Sequence, residues 1–120
     1  MKNVSDVLVV DDQPGMRQLL RSVVEEVGYK VYLAENGLEA VAMVRKIRPQ
    51  LVFMDVKMPV MDGLEALREI KEIAPETEVI MMTAYISEEI KSQVKEMGAR
   101  CCLAKPFEIE KVKRLLRDHS

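Results

Sequence analysis

The sequence predicts an α/β protein in which five short strands alternate with five helices and form one parallel sheet covered on both faces. Two observations predict this class. Apolar runs of three or four residues alternate along the chain with stretches whose apolar residues recur at helical spacing. The chain has 120 residues, 48% of them hydrophobic, so we expect residues 1–120 to form a single domain with a substantial core.

The predicted strands are apolar runs that turn-forming or charged residues bound on either side. In chain order they are residues 7–10, 31–33, 51–54, 79–82 and 101–103. Continuous apolar runs of this length are typical of strands buried on both faces, as in parallel sheets.

Between the strands, apolar residues recur three and four positions apart, which is the spacing of one face of an α-helix. These stripes span residues 16–27, 38–47, 64–73, 86–97 and 109–116. The residues at their ends agree with helices: Pro14 suits a first helical position, Asp62 suits an N-cap, and Gly28 and Gly98 suit the left-handed residue beyond a helix.

Alternating strands and helices restrict the topology. Right-handed crossovers between parallel strands put helices on both faces of the sheet. For five parallel strands, the common solution is the flavodoxin-like, doubly wound order 2-1-3-4-5. Ligands in such sheets bind at the carboxyl ends of the strands, beside the point where the strand order reverses, here between strands 1 and 3.

Charge and composition exclude several classes of protein. A net charge of −2 gives no broad positive field for nucleic acid. The apolar runs are far shorter than the ~20 residues that span a bilayer, and no signal peptide is recognisable, so we expect a cytoplasmic protein without membrane contact. Cys101 and Cys102 are sequence neighbours, which disfavours a disulfide and predicts reduced thiols.

Polar residues follow four of the five predicted strands. Asp11 and Asp12 follow the first, Asp55 the third, Thr83 the fourth and Lys105 the fifth. Because the carboxyl ends of parallel strands meet at one edge of the sheet, these side chains should lie close together. Taken singly, the same residues have other interpretations: helix caps for Asp12 and Thr83, a turn for Asp55 and a solvated charge for Lys105.

Three clustered carboxylates need a compensating cation, and Lys105 supplies only one charge. An all-oxygen site with few protein ligands suits Mg²⁺. If that ion shares its coordination with a phosphoryl group, Asp55 becomes a candidate nucleophile that forms an acyl phosphate. Thr83 and Lys105 would then bind phosphoryl oxygens.

Four segments together resemble the motifs of response-regulator receiver domains. They are VLVVDD at 7–12, FMDVKMPVMDG at 53–63, MTA at 82–84 and KPF at 105–107. The resemblance covers essentially the whole chain. Within the family these segments are most similar to the stand-alone regulators of sporulation phosphorelays, and receivers of nitrogen-regulation transcription factors carry similar ones.

The resemblance assigns a role to each site residue. It implies that Asp55 is the phosphoacceptor, and that Asp12, Asp55 and the backbone carbonyl of Lys57 bind Mg²⁺ or Mn²⁺, with Asp11 acting through water. It also implies that Thr83 is the switch hydroxyl, that Lys105 binds the phosphoryl group, and that the peptide bond preceding Pro106 is cis.

One position departs from the family pattern. Receivers commonly carry an aromatic residue three positions before the lysine, where this chain has Cys102. A thiol changes little in volume on flipping, so Tyr85 is either a substitute reporter or a residue that packs on the fourth helix. The Lys57 side chain either shields the acyl phosphate from water or is simply solvated.

The resemblance implies a monomeric signalling protein that takes its phosphoryl group from a histidine kinase or a histidine phosphotransfer protein. The resemblance also implies that the protein is not a classical enzyme but assists its own phosphorylation and dephosphorylation. A relay would dock through the first helix with Gln13, Pro106 and Phe107, and an output switch through helix 4, strand 5 and helix 5.

Other functions stay open at this stage. The chain is alternatively a receiver cut from a longer transcriptional regulator, or a small Mg²⁺-dependent phosphohydrolase that uses an aspartyl phosphate. An FMN module is disfavoured because Asp11 and Asp12 would repel a phosphate after the first strand. A purely structural pseudo-receiver is disfavoured by the complete set of site residues.

Overall fold

The computed structural model describes residues 6–119, and of His119 only the backbone. Within these residues five strands alternate with five helices. The strands are β1 (Asp6–Val10), β2 (Lys30–Ala34), β3 (Leu51–Asp55), β4 (Glu78–Thr83) and β5 (Cys101–Ala104). The helices are α1 (Pro14–Val27), α2 (Gly37–Ile47), α3 (Gly63–Ile73), α4 (Glu88–Glu96) and α5 (Ile109–His119).

All neighbouring strands are parallel, and their order is β2-β1-β3-β4-β5, which confirms the predicted fold class. The register aligns the carboxyl ends of the strands. Val10 lies opposite both Ala34 and Met54, and Thr83 lies opposite Ala104. The residues that follow these strands therefore emerge side by side along one edge.

Two apolar clusters fill the space on either side of the sheet. Alternate residues of the strands serve opposite faces: Leu8 and Val10 pack on the side of α2, α3 and α4, whereas Val7 and Val9 pack on the side of α1 and α5. The central strands β1 and β3 are almost entirely buried, as their continuous apolar runs predict. β2 is only half-buried because it forms an open edge of the sheet.

The helix ends follow the sequence signals with one exception. Pro14 begins α1, Gly28 and Gly98 have φ angles of 112° and 102°, and the Asp62 side chain accepts the N–H of Glu65 at 2.9 Å. The exception is α4, which begins at Glu88 and leaves Ile86 in the preceding loop. The Ser87 hydroxyl starts this helix by accepting the Ile90 N–H at 3.1 Å.

The connection from β3 to α3 is tightly packed at Gly63, whose N–H donates to the Val56 carbonyl at 2.7 Å. A Cβ atom at this position would clash with the carbonyl oxygen of Asp55 and lie 2.9 Å from the Cα of Val56. Both neighbours are backbone atoms of the strand end and cannot yield as a flexible side chain can. Only glycine therefore lets α3 start directly against Asp55.

The substitution Gly63→Ala should lower the free energy of unfolding by about 2 kcal/mol, because the added methyl group forces the backbone apart. Gly15→Ala is the matched control, since a Cβ at Gly15 meets nothing within 4 Å. That change should be neutral or stabilise α1 by up to ~1 kcal/mol. Urea unfolding followed by circular dichroism measures both, and equal effects at the two glycines would contradict the expectation.

Candidate functional site

Three carboxylates lie together at the carboxyl edge of the sheet. Asp11 and Asp12 follow β1, and Asp55 ends β3, the strand beside it. One oxygen atom of each lies within 4.8 Å of the others. The sequence-based expectation that these side chains meet is therefore confirmed.

Asp11 is fully buried and held at four points. Its backbone N–H donates to the Ala34 carbonyl at 3.2 Å, and its own carbonyl accepts Nη1 of Arg17 at 2.7 Å. In the side chain, Oδ1 accepts the Gln13 N–H at 3.0 Å and Oδ2 accepts Nζ of Lys105 at 2.6 Å. Asp11 is thus committed to protein partners.

Asp12 contrasts with its neighbour. It is exposed, and no described residue forms a hydrogen bond or an ion pair with its carboxylate. It is not the cap of α1 either, because Gln13 occupies the N-cap position and no side chain caps the helix. The Asp12 carboxylate is therefore free to take a ligand.

Lys105 extends between the other two carboxylates. Its Nζ atom lies 2.6 Å from Oδ2 of Asp11 and 3.3 Å from Oδ2 of Asp55, and its side chain is only 11% exposed. Burial opposes its positive charge, but the hydrogen bond and charge of Asp11 and the charge of Asp55 outweigh this, so the pKa of Lys105 is raised. The interpretation of Lys105 as a solvated charge is wrong.

The environment of Asp55 disfavours its ionised form. Burial raises the pKa of its carboxyl, and the charge of Asp11 acts in the same direction. The Lys105 charge and the N–H of Lys57 oppose this shift without cancelling it. The ionised form of Asp55 therefore gains from any further cation that reaches the site.

Thr83 ends β4 with 2% of its surface exposed. Its Oγ1 atom accepts the Tyr85 N–H at 3.0 Å, and since Ser87 caps α4, the interpretation of Thr83 as that cap is wrong. The Tyr85 side chain is 74% exposed, and Nζ of Lys57 lies 5.9 Å from the centre of its ring. This cation–π contact joins the loops that follow β3 and β4.

Cys102 lies in β5 opposite Met81 and packs partly buried against the core on the side of α2, α3 and α4. Burial raises the pKa of its thiol, as does the neighbouring Cys101, so the group is neutral. Both cysteines are free, which confirms the prediction of reduced thiols. No described contact joins Cys102 to Asp55 or Thr83.

The residues predicted to face a partner lie around the same edge. Gln13 and Pro106 are exposed, whereas Phe107 is partly buried against the core on the side of α1 and α5. The peptide bond between Lys105 and Pro106 is cis, as the resemblance implied.

The donor set fits a hard divalent cation. All three ligands are carboxylate oxygens, and Asp12 has no described partner to displace. Mg²⁺ prefers such oxygen ligands and retains waters where the protein supplies few. Both carboxylate oxygens of Asp11 already accept hydrogen bonds from the protein. This agrees with a contact between Asp11 and the cation through water rather than a direct one.

A family model described as the response regulator receiver domain matches residues 7–117. The chain belongs to this family. Its members accept a phosphoryl group on an aspartate in two-component and phosphorelay signalling, and they are signalling proteins rather than classical enzymes. The chain is 42% identical over 113 residues to sporulation initiation phosphotransferase F of Bacillus subtilis, covering 94% of this chain and 91% of that protein.

Solved structures of receivers have the same fold. Chemotaxis protein CheY4 of Vibrio cholerae superimposes with a TM-score of 0.91 at 33% identity, covering 98% of this chain and all of that one. The CheX–CheY complex of Borrelia burgdorferi, which contains BeF₃ and Mg²⁺, gives 0.91 at 28% identity, covering 95% of this chain and 87% of that one. None of the helices in residues 6–119 is long and apolar enough to cross a membrane.

The sequence did not predict the contacts of two residues beside the site. Arg17 lies outside the apolar stripe of α1, and nothing in its spacing indicates that it contacts the Asp11 carbonyl. Gly63 ends the segment 53–63 that resembles receivers, but its steric role was not predicted, because the capping role of Asp62 accounted for the turn. The Asp-Gly pair directly before a helical stripe was the available signal for a close backbone approach at Gly63.

Asp55→Asn is expected to raise the free energy of unfolding at pH 7 when divalent cations are absent. The folded pKa of Asp55 lies above the unfolded one, so its contribution to stability is fully present below the unfolded pKa and is lost as pH rises through the folded pKa. The asparagine mimics the neutral carboxyl, so the gain should vanish towards pH ~4 and below, where the wild-type carboxyl is also protonated.

Urea unfolding in EDTA at neutral and acidic pH measures this difference. Asp118→Asn removes an exposed carboxylate and serves as the control. An Asp55→Asn protein less stable than wild type at pH 7 would show that the carboxylate is stabilising, contrary to the expectation.

Proposed function

We propose that this chain is a phosphorelay receiver that accepts a phosphoryl group on Asp55 from the phosphohistidine of a sensor kinase or a phosphotransfer protein. One observation carries the proposal. The buried Asp55 carboxylate lies 3.3 Å from the Lys105 amine and beside Asp12, which has no described partner, so a nucleophile, a phosphoryl-binding cation and a metal ligand converge. The likeness to a sporulation phosphotransferase supports the relay.

The proposed step is a phosphoryl transfer to oxygen. An Asp55 carboxylate oxygen attacks the phosphorus atom of phosphohistidine, the phosphorus–nitrogen bond breaks, and the released imidazole nitrogen takes up a proton. The product is an acyl phosphate on Asp55. The Lys105 amine lies 3.3 Å from Oδ2 of Asp55. During the transfer it exchanges this contact with the carboxylate for one with a phosphoryl oxygen, where negative charge develops.

Asp12, Asp55 and the backbone carbonyl of Lys57 would hold Mg²⁺, with Asp11 acting through water, and Mn²⁺ would suit the same oxygen ligands. When bound, the ion neutralises charge on the carboxylates and on the phosphoryl oxygens. In this proposal the residues of the chain itself, rather than the donor protein, promote both phosphorylation and hydrolysis.

Thr83 is the proposed sensor of phosphorylation. Its oxygen accepts the Tyr85 N–H, so its own proton is available to a phosphoryl oxygen. A rotation of Thr83 towards Asp55 would break the bond to Tyr85 and release the loop before α4. With the small, neutral Cys102 in β5, we assign the reporting role to Tyr85.

For a relay, the donor protein must approach Asp55 from the carboxyl edge. Gln13, Pro106 and Phe107 rim that edge together with the start of α1, and we propose this rim as the docking surface. We further propose that residues 1–120 act as one monomeric receiver domain in the cytoplasm, without direct contact to nucleic acid.

Incubation with acetyl phosphate and Mg²⁺ should add one phosphoryl group to the intact protein. The addition should disappear in EDTA and in Asp55→Asn. Intact-mass measurement at neutral pH detects the product. A phosphohistidine protein serves as a second phosphoryl donor if acetyl phosphate does not phosphorylate the chain.

Asp62→Asn is the matched control for this test, because Asp62 is an acidic residue of the same loop but serves as the N-cap of α3. It should be phosphorylated like the wild type. Phosphorylation of the Asp55→Asn protein would contradict the assignment of the acceptor.

Lys57 lies two residues after Asp55, in the loop that follows β3. Its amine forms a cation–π contact with the exposed Tyr85 ring, with 5.9 Å between Nζ and the ring centre. The two side chains therefore connect the loops that follow β3 and β4. We propose that this bridge hinders the attack of water on the acyl phosphate and so prolongs its lifetime for the relay.

Lys57→Asn should therefore accelerate loss of the phosphoryl group about threefold or more, which corresponds to ~0.7 kcal/mol in the barrier. Decay of the phosphorylated protein after removal of the donor measures the rate. Lys46→Asn, at an exposed position in the last turn of α2, should leave it unchanged. An unaltered decay in Lys57→Asn would refute shielding.

A further inference from the structure

Arg17 makes an unusual contact for a cation in an acidic site. It is the fourth residue of α1, its side chain is partly buried, and the only described hydrogen bond of that side chain runs from Nη1 to the Asp11 carbonyl at 2.7 Å. It forms no ion pair with any described carboxylate. Its contact is thus with the backbone of the site and not with the acidic side chains.

The location of this cation has an electrostatic cost. The N-terminus of a helix carries partial positive charge, which disfavours a guanidinium group near it. Arg21, one turn later on the same helix, follows the ordinary surface pattern and pairs with Glu25 at 3.3 Å. At this position the Asp11 carbonyl is the one described hydrogen-bond partner of the Arg17 side chain.

The Asp11 carbonyl belongs to the peptide plane that leads into Asp12. A planar peptide moves as one unit, so holding its oxygen limits the rotation of the Asp12 N–H and Cα with it. The Asp12 side chain itself has no described partner, so the backbone is what directs it. Along this segment, the Arg17 contact limits the positions that the Asp12 Cα can take.

We propose that Arg17 is a positioning residue for the divalent cation, acting through the peptide plane between Asp11 and Asp12. The inference rests on the proposed function, because it concerns the metal ligand Asp12. The effect of replacing Arg17 on Mg²⁺ affinity distinguishes this role from a purely electrostatic one, because the two roles predict changes of opposite sign. Loss of a nearby positive charge alone would tighten Mg²⁺ binding, whereas loss of the restraint on Asp12 weakens it.

The decisive experiment is calorimetric titration of the full chain with Mg²⁺ in four forms: wild type, Arg17→Met, Arg17→Lys and Arg21→Met. We expect Arg17→Met to weaken Mg²⁺ binding about tenfold, as is usual when an outer partner of a metal ligand is removed. Arg17→Lys retains a donor and should recover part of the loss. Arg21→Met removes the same charge from the same helix and should bind like wild type.

A second measurement separates positioning from structural damage. The rate of phosphorylation by acetyl phosphate is followed as Mg²⁺ is raised to saturation. Arg17→Met should need about tenfold more Mg²⁺ for half the maximal rate and reach a similar maximum. A lowered maximum with unchanged Mg²⁺ dependence would overturn the inference.

Three other results also overturn it. They are Mg²⁺ affinity in Arg17→Met equal to that of Arg21→Met, tighter binding in Arg17→Met, and failure of both Arg17→Met and Arg17→Lys to fold, which would make the contact purely structural. If the wild type itself binds no Mg²⁺, the proposed function fails along with the inference. Binding by the wild type with no effect at Arg17 overturns the inference alone.

Discussion

The site depends on one electrostatic constraint, the crowding of three carboxylates against a single buried amine. Lys105 contacts Asp11 and Asp55 but carries only one positive charge, and its contact with Asp11 is the shorter of the two. Asp55 is buried and its pKa is raised, and Asp12 has no described partner. This deficit of positive charge favours the binding of a divalent cation. It also places the Lys105 amine where it can form an ion pair with a phosphoryl group on Asp55.

The scaffold makes this crowding tolerable because it is rigid at the strand ends. β1 and β3 are neighbours buried on both faces, so Asp11 and Asp55 cannot separate without opening the core. Gly63 allows α3 to start against the Asp55 carbonyl, and Asp11 is tied at both its backbone and its side chain. The apolar core thus supplies the stability against which the like charges are held together.

The loops on the other side of Asp55 are constructed differently. Tyr85 and Lys57 are exposed and touch only through a cation–π contact, and Thr83 joins this pair by one hydrogen bond. These interactions are weak in water, so they are able to rearrange when the charge on Asp55 changes. A rigid acidic edge beside a loosely held pair of loops is a suitable arrangement for a switch, even though β5 carries Cys102 in place of an aromatic residue.

The sequence by itself determined the alternation of elements and the residues that follow each strand, because the hydrophobic period marks where each element lies. It did not determine the strand order, which was expected only as the common solution for five parallel strands. Burial on both faces was predictable for β1 and β3, whose runs are continuously apolar. The start of α4 was predicted too early, since Ile86 continues the apolar stripe while the Ser87 cap sets the first turn.

Only the tertiary structure decided which carboxylate is committed to protein partners and which is free. Arg17 approaches Asp11 across the first turn of α1, and Lys105 reaches it across 94 residues of sequence, contacts that local patterns do not encode.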